Sequence, residues 1–347
     1  MSQYSFHSFC AGLLRPVAAL FVILLIAGCT GESESDTPAA VAPPMTPVQA
    51  ARFPGSGSNQ SETRDAYAPE VTALSEATFN GILDLPEITL TDGRWVGEPY
   101  EADGATRPAV MLVRDFLLNG DLDGDGQNEA VVFLETATGG SGAFLHLAVM
   151  GSASGELTNL ATEYLGDRVQ IIDARMDHDQ ILLTLVRAGP DDAVCCPGEI
   201  GHLAWQWLPG EGLLALSDES GSERLGAATL ADREWVLTQW NSDEPAAADP
   251  RVTLSYSTGQ LVGSGGCNRY FAGIEEGDHP GAIRVAPVGS TQMACPEHVM
   301  AIEQRFLTQL QDARRFDFLY GDLLLTYGDE TAAGSMRFRT AREAADD

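Results

Sequence analysis

The sequence contains no lysine, and its 20 basic residues, all arginine, stand against 50 aspartates and glutamates. The formal net charge is −30 over 347 residues. A surface of this sign has no cationic patch to displace the counterions of a phosphate backbone, which excludes nucleic acid as a partner. It also excludes adhesion to anionic lipid through basic side chains.

Sequence motifs typical of enzymes are missing as well. The six histidines form no ligand-type cluster, and no Gly-x-Ser-x-Gly motif marks a nucleophilic serine. The run Gly139-Gly140-Ser141-Gly142 follows a predicted strand but lacks the lysine of a phosphate-binding loop. It therefore predicts a hairpin turn, and we expect a protein that is not an enzyme.

The first 29 residues have the layout of an export signal. Arg15 precedes an apolar run, residues 18–26, and Cys29 follows it, with no acidic residue before Glu32. The segment resembles the signal of bacterial lipoproteins, in which the cysteine is acylated and becomes the first mature residue. It predicts a signal peptide over residues 1–28 and a palmitate-type lipid anchor on Cys29. The alternatives are an uncleaved membrane anchor and a simple secreted protein.

The residues after Cys29 indicate a location and a tether. Thr30 stands where an aspartate would imply retention at the inner membrane. By the same resemblance, we expect a protein held by its lipid on the outer membrane and facing the periplasm. Residues 29–72 are polar, acidic and proline-rich without helical or strand periodicity, which predicts a disordered tether.

Residues 73–218 alternate short apolar runs with glycine, aspartate and asparagine. This pattern predicts a mainly antiparallel β domain, followed by a linker over residues 219–230. The predicted strands are 87–90, 110–113, 130–134, 144–150, 169–172, 181–186 and 203–207.

Residues 231–341 predict a second β-rich domain with one helix. Pro296 suits the first helical position, and Arg314 and Arg315 suit the negative C-terminal end. Strands wrapped around one helix predict a small β-barrel or half-barrel. The predicted strands are 234–240, 252–256, 282–288, 316–320, 323–327 and 335–338. The apolar helix face consists of Val299, Ile302, Phe306 and Leu310.

Two segments of this second domain carry a family resemblance. They are Gly263-Ser264-Gly265-Gly266-Cys267-Asn268-Arg269-Tyr270 and Ser290-Thr291-Gln292-Met293-Ala294-Cys295-Pro296. Together with Trp235 and the order of the later strands, they resemble the META domain family, which includes the HslJ-type heat-shock lipoproteins. The resemblance covers about the last third of the chain. It implies a compact β-barrel-like fold in cell-envelope proteins, and it implies no established reaction.

Four cysteines remain outside the signal. Cys267 and Cys295 belong to the two family segments, and we expect them to lie close and to form a disulfide in an oxidising compartment, buried free thiols being the alternative. Asn268 beside them tolerates a left-handed turn. The adjacent Cys195 and Cys196 could form a strained, redox-labile disulfide or bind a soft metal, against the simpler interpretation of a structural loop.

An acidic loop in the first domain has the spacing of a calcium site. Asp121, Asp123, Asp125 and Glu129 occupy positions 1, 3, 5 and 9, and the carbonyl of Gln127 could supply position 7. Hard oxygen ligands alternating around a tight loop suit Ca²⁺. The loop resembles the short calcium loops of FG-GAP-type repeats and dockerins, which implies a structural Ca²⁺. The alternative is an empty acidic β-turn.

These observations favour a cell-envelope lipoprotein with a non-catalytic role in binding or stress-related maintenance. Its partners would be the membrane, through the lipid anchor, and an unknown envelope protein or small ligand. One alternative is a periplasmic inhibitor or a β-barrel that sequesters a small ligand. Another is an enzyme that depends on Cys195 and Cys196.

Overall fold

A computed structural model describes residues 69–102, 104–153, 155–193, 195–216, 223–329 and 332–341. The predicted signal peptide, Cys29 and nearly all of the predicted tether lie outside these residues. Neither helix in the described part of the chain has the length and apolar character needed to span a membrane. All of the described residues belong to one compact unit.

The N-terminal region, residues 69–224, contains two five-stranded antiparallel sheets. It opens with α1 (Val71–Leu74) and the short pair β1 (Thr78–Phe79) and β2 (Ile88–Thr89). The first sheet runs in chain order: β3 (Arg94–Val96), β4 (Ala109–Gly120), β5 (Glu129–Ala137), β6 (Phe144–Ala153) and β7 (Glu156–Asp167). The second consists of β8 (Gln170–Asp177), β9 (Gln180–Arg187), β10 (Glu199–Leu208), β11 (Gly212–Leu216) and β12 (Glu223–Arg224).

The C-terminal region, residues 225–341, is one ten-stranded antiparallel sheet. A 3-10 helix (Ala227–Leu230) leads into β13 (Glu234–Trp240), β14 (Glu244–Pro245), β15 (Thr253–Ser257), β16 (Gln260–Ser264), β17 (Arg269–Glu276), β18 (Ile283–Val285) and β19 (Gly289–Ser290). After α2 (Glu297–Gln311) come β20 (Ala313–Leu319), β21 (Asp322–Tyr327) and β22 (Gly334–Thr340).

This C-terminal sheet is almost closed into a barrel. Its main strand order is β18-β17-β16-β15-β13-β22-β21-β20. The two end strands approach each other, since Ala282 and Arg315 form a bridge and the amide of Phe316 donates to the carbonyl of Gly281 at 2.9 Å. The mainly β class and the barrel-like fold with one helix, both predicted from the sequence, are therefore present.

Helix α2 is placed almost as predicted, but its ends differ. Pro296 is the N-cap, with an extended ψ of 147°, and is not the first helical residue. Phe306 and Leu310 are fully buried in the core of the C-terminal region. Arg314 and Arg315 do not end the helix, because the chain has already entered β20 at Ala313.

Strand β5 stabilises the stacked sheets of the N-terminal region because both of its faces pack against apolar side chains. Its alternate residues Ala130, Val132 and Leu134 pack into one apolar cluster. Val131 and Phe133 point to the opposite face and join a second cluster with the sheet that contains β9. Burial on both faces produces the continuous apolar run that marks this strand in the sequence.

The two regions share a hydrophobic core. The cluster that contains Trp235 and Phe338 of the C-terminal region also contains Ile172, Val186 and Ile200 from β8, β9 and β10. The segment 219–230, predicted to be a linker, includes β12 and the 3-10 helix in its described part. The amide of Leu225 also donates to the carbonyl of Gly198 at 2.8 Å, which ties this segment to the N-terminal region.

His146 in β6 makes the stability of the fold depend on pH. The residue is fully buried, and burial lowers its pKa to about 4, partly opposed by a hydrogen bond to the backbone of Leu134. A lowered pKa means that protonation opposes folding, so stability is complete above the ordinary value of 6.5 and falls as the pH drops towards 4. We expect the loss attributable to His146 to reach about 3 kcal/mol.

The measurement is denaturant unfolding of the wild type and His146→Gln between pH 7 and 4. Glutamine keeps a polar group near the Thr136 hydroxyl but does not titrate. The difference in unfolding free energy between the two proteins should change steadily over this range. Comparing the two removes the contribution of the many carboxylates, and a difference independent of pH would contradict the assignment.

Candidate functional site

The acidic loop connects β4 to β5 and is ordered by its own carboxylates. Asp121 accepts hydrogen bonds from the amides of Gly124 at 2.8 Å and Gly126 at 3.0 Å. Both glycines have positive φ angles, 77° and 87°, which other residues adopt only with strain. Asp123 accepts from the amide of Asp125 at 3.0 Å. The chain is thereby turned so that several carboxylates face one point.

Three of the predicted ligands come together in this loop. Carboxylate oxygens of Asp121, Asp123 and Glu129 all lie within 4.8 Å of one another. The carboxylate of Asp125 is outside this group and accepts from the backbone amide of Gln127 at 2.7 Å and from its side chain at 3.2 Å. A set made only of carboxylate oxygens suits hard cations such as Ca²⁺ and gives soft metals no thiolate or imidazole.

Glu129 is the buried member of the group. Its Oε2 accepts from the amide of Leu122 at 2.9 Å, which places the carboxylate under the loop. Burial raises the pKa of Glu129, and the neighbouring charges of Asp123 and Asp125 raise it further, while the backbone hydrogen bonds lower it. A cation bound at this point would relieve the repulsion between these carboxylates.

The two family segments meet in the C-terminal region. Cys267 and Cys295 form a disulfide, with an S–S distance of 1.99 Å and a Cα–Cα distance of 6.0 Å. Asn268 bridges the same two segments. Its Oδ1 accepts from the hydroxyl of Thr291 at 2.9 Å and from the amide of Met293 at 2.6 Å.

The residue with a left-handed backbone in this segment is Gly266, at φ 115°. The sequence suggested Asn268 for this role. Asn268 is instead used for its side chain, which is buried and bonded at both ends. The glycine before Gly266 also has a packing reason. A Cβ at Gly265 would lie 2.9 Å from Cγ of Glu303, so any other residue here would require the Glu303 side chain to shift.

Glu303 holds this arrangement from helix α2. Its Oε2 accepts from the backbone amides of Cys267 and Asn268, and its Oε1 accepts from Nδ2 of Asn268 at 2.8 Å. Glu303 is buried, as is Asn268. The polar groups of Glu303, Asn268 and the backbone of Cys267 therefore bond to one another, and these bonds stabilise the fold.

Sequence reasoning missed Glu303, although a signal was present. The residue lies on the apolar face of the helix, four positions after Val299 and three before Phe306. A glutamate within an apolar face predicts a buried acceptor with a specific partner. The partner itself is 35 residues away in sequence and is visible only in three dimensions.

The adjacent cysteines lie in the loop between β9 and β10. Both thiols are free, and Cys195 is exposed whereas Cys196 is half-buried. No metal-ligand cluster that includes them occurs among the described residues. They lie in the second sheet's connecting loop, apart from the acidic loop between β4 and β5.

The C-terminal region is thus a small antiparallel barrel-like sheet that packs around one helix and is joined across its two signature segments by a disulfide. Residues 228–341 match the family model of the META domain, so the C-terminal third of this chain is a META domain. The family suggests a stress-related or binding role and is not known to be catalytic.

Similarity of this chain to solved structures and to curated proteins is limited. An NMR structure of a protein from Burkholderia xenovorans is 24% identical, covers 36% of this chain and 99% of that chain, and has a TM-score of 0.26. The comparison with curated proteins finds no match to this chain.

Proposed function

We propose that this chain is a lipid-anchored protein of the cell envelope whose META domain acts by binding, without catalysis, in envelope maintenance or stress. The observation that carries the proposal is the META domain at residues 228–341. Its signature side chains hold one another through Asn268, Glu303 and the disulfide, so they are not free to react with a substrate.

The core of the META domain supports binding through the surface. The interior of the sheet is filled with large side chains, among them Trp235, Phe306 and Phe338, which are fully buried. Large side chains packed in this way fill the centre of the sheet as in a protein interior, which favours binding at the surface over enclosure of a small ligand. An envelope protein that docks on the exposed surface therefore fits better than a sequestered ligand.

The anchor is proposed from the sequence around Cys29. It is tested by mass spectrometry of the native protein recovered from membrane fractions. We expect a mature chain that begins at Cys29 and carries diacylglyceryl and acyl groups, located in the outer membrane. Cys29→Ser should leave an unprocessed or released protein. An unmodified wild-type chain in the cytosol would contradict the anchor.

Partner binding is tested by affinity capture from detergent-solubilised envelopes, with the mature protein as bait. The matched control carries only the predicted anchor and tether, residues 29–72, because the META domain shares its core with the N-terminal region and removing it alone would expose that core. We expect a defined envelope protein to be retained by the full bait and lost by the control. Equal retention by both baits would contradict a binding role for the META domain.

We further propose that the acidic loop binds Ca²⁺ as a structural ion, held by Asp121, Asp123 and Glu129, with Asp125 and Gln127 as further candidate ligands. At a Ca²⁺ concentration ten times the Kd, the wild type should gain about 1.4 kcal/mol of stability. Titration calorimetry and melting curves with Ca²⁺ or chelator measure this. Asp121→Asn with Asp123→Asn should abolish the gain, and Asp243→Asn, an exposed turn residue elsewhere, should retain it. Neither heat nor a melting shift in the wild type would contradict the site.

A further inference from the structure

The adjacent thiols Cys195 and Cys196 are held in a fixed position by their loop. Asp192, three residues earlier, accepts hydrogen bonds from the amides of Gly189 at 2.8 Å and Gly198 at 2.9 Å. Its other oxygen pairs with Arg224 of β12 at 2.6 Å, and its side chain is only 5% exposed. The loop is thereby clamped on both sides of the two cysteines.

Cys196 also contacts the C-terminal region. Its thiol lies against the guanidinium of Arg315 in β20. That guanidinium binds Asp317, with Nε 2.8 Å and 2.9 Å from its two carboxylate oxygens. Asp317 in turn accepts from Nε2 of Gln170 in β8 at 3.0 Å. The half-buried thiol therefore lies beside the polar network that connects the two regions.

The two cysteine pairs of this chain differ in geometry. The Cα atoms of Cys267 and Cys295 are 6.0 Å apart, within the usual range for disulfides. Adjacent residues joined by a trans peptide have Cα atoms about 3.8 Å apart, which is below that range. A disulfide between Cys195 and Cys196 would be strained, and strained, exposed disulfides are the labile ones that exchange readily.

We propose that Cys195 and Cys196 form a thiol–disulfide exchange site whose substrate is a molecule that carries a disulfide. The thiolate of the exposed Cys195 attacks one sulfur of the substrate, forms a mixed disulfide and releases the other sulfur as a thiol. The thiol of Cys196 then loses its proton and attacks Sγ of Cys195. The pair becomes a disulfide, and the substrate has been reduced to two thiols. When the same two steps run in reverse, the disulfide of Cys195 and Cys196 oxidises a molecule that carries two thiols, and the pair returns to its reduced form.

The surroundings of Cys196 suit the second step. Contact with Cys195 is the largest cause that raises the pKa of the Cys196 thiol, followed by burial, whereas the charge of Arg315 lowers it. When Cys195 has formed the mixed disulfide, its thiol proton and charge are gone. The largest cause that raises the pKa of Cys196 is then removed, and the charge of Arg315 favours its thiolate against the remaining effect of burial.

The test treats the reduced full-length protein with oxidised glutathione and examines the peptide between Arg187 and Arg224 by mass spectrometry after alkylation. This peptide excludes every other cysteine of the chain. In the wild type it should lose two hydrogens and carry no glutathione. Cys196→Ser should stop at one glutathione on Cys195, and Cys195→Ser should react more slowly at the half-buried Cys196.

A second measurement uses only the wild type and does not depend on how the variants fold. After oxidation, dithiothreitol should reopen the Cys195–Cys196 disulfide at concentrations about tenfold or more below those that open Cys267–Cys295. Stable glutathione adducts on the wild-type peptide, covalent dimers through it, or no reaction would overturn the proposal. Reduction of both disulfides at the same concentration would also overturn it.

Discussion

Replacing Glu303 with alanine should lower the free energy of unfolding by about 3 to 5 kcal/mol. The truncation removes the acceptor of the backbone amides of Cys267 and Asn268 and of the Asn268 side chain. These groups are buried, and water does not replace the lost acceptor at low cost. The loss should also loosen the approach of the two signature segments, because Asn268 joins both.

Two variants separate the buried acceptor from the helix itself. Glu303→Gln keeps the shape and one acceptor oxygen, so it should cost about 1 to 2 kcal/mol. Glu297→Ala removes an exposed glutamate from the first turn of the same helix and should cost less than about 1 kcal/mol. Denaturant unfolding monitored by tryptophan fluorescence and circular dichroism measures all three. Equal losses for Glu303→Ala and Glu297→Ala would show that the network is unimportant.

Loss of the disulfide should cost about 3.5 kcal/mol, the value expected for a loop of 28 residues closed in the unfolded chain. The measurement compares the unfolding of the wild type with that of Cys267→Ala with Cys295→Ala. Alanine avoids placing a hydroxyl at the buried position of Cys267.

The matched control is Cys195→Ala with Cys196→Ala, which removes two free thiols and should change stability by about 0.5 kcal/mol or less. Reduction and alkylation of the wild type should reproduce the loss seen when Cys267 and Cys295 are replaced. A wild type as stable after reduction as before would rule out a stabilising bond.

Strands with buried faces were predictable, because burial imposes an apolar run. Strand β13 occupies residues 234–240 in the structure, as the sequence predicted. Strand β7, Glu156–Asp167, was missed because most of its residues are only half-buried and its sequence is largely polar. The hairpin of β16 and β17 is absent from the predicted strands, because glycine and serine occupy residues 263–266 and give no apolar run there.

The candidate sites could be predicted only in part. Spacing along the chain, and not burial, decides which of their residues are recognisable. Spacing along the chain located the acidic loop, because its residues are neighbours in sequence. The position of Asp125 outside the cluster of three carboxylates depends on its bonds to Gln127, which spacing does not determine. The role of Glu303 depends on a contact between a helix and a hairpin, which no local pattern records.

The core shared by Ile172, Val186 and Ile200 with Trp235 and Phe338 means that the META domain of this chain is completed by its neighbour. If the chain were cut at residues 219–230, the META domain would expose apolar side chains to water, and so would the sheets of the N-terminal region. The N-terminal region and the META domain are therefore expected to fold and unfold as one cooperative unit. A substitution that weakens the packing of one region is therefore expected to lower the stability of both.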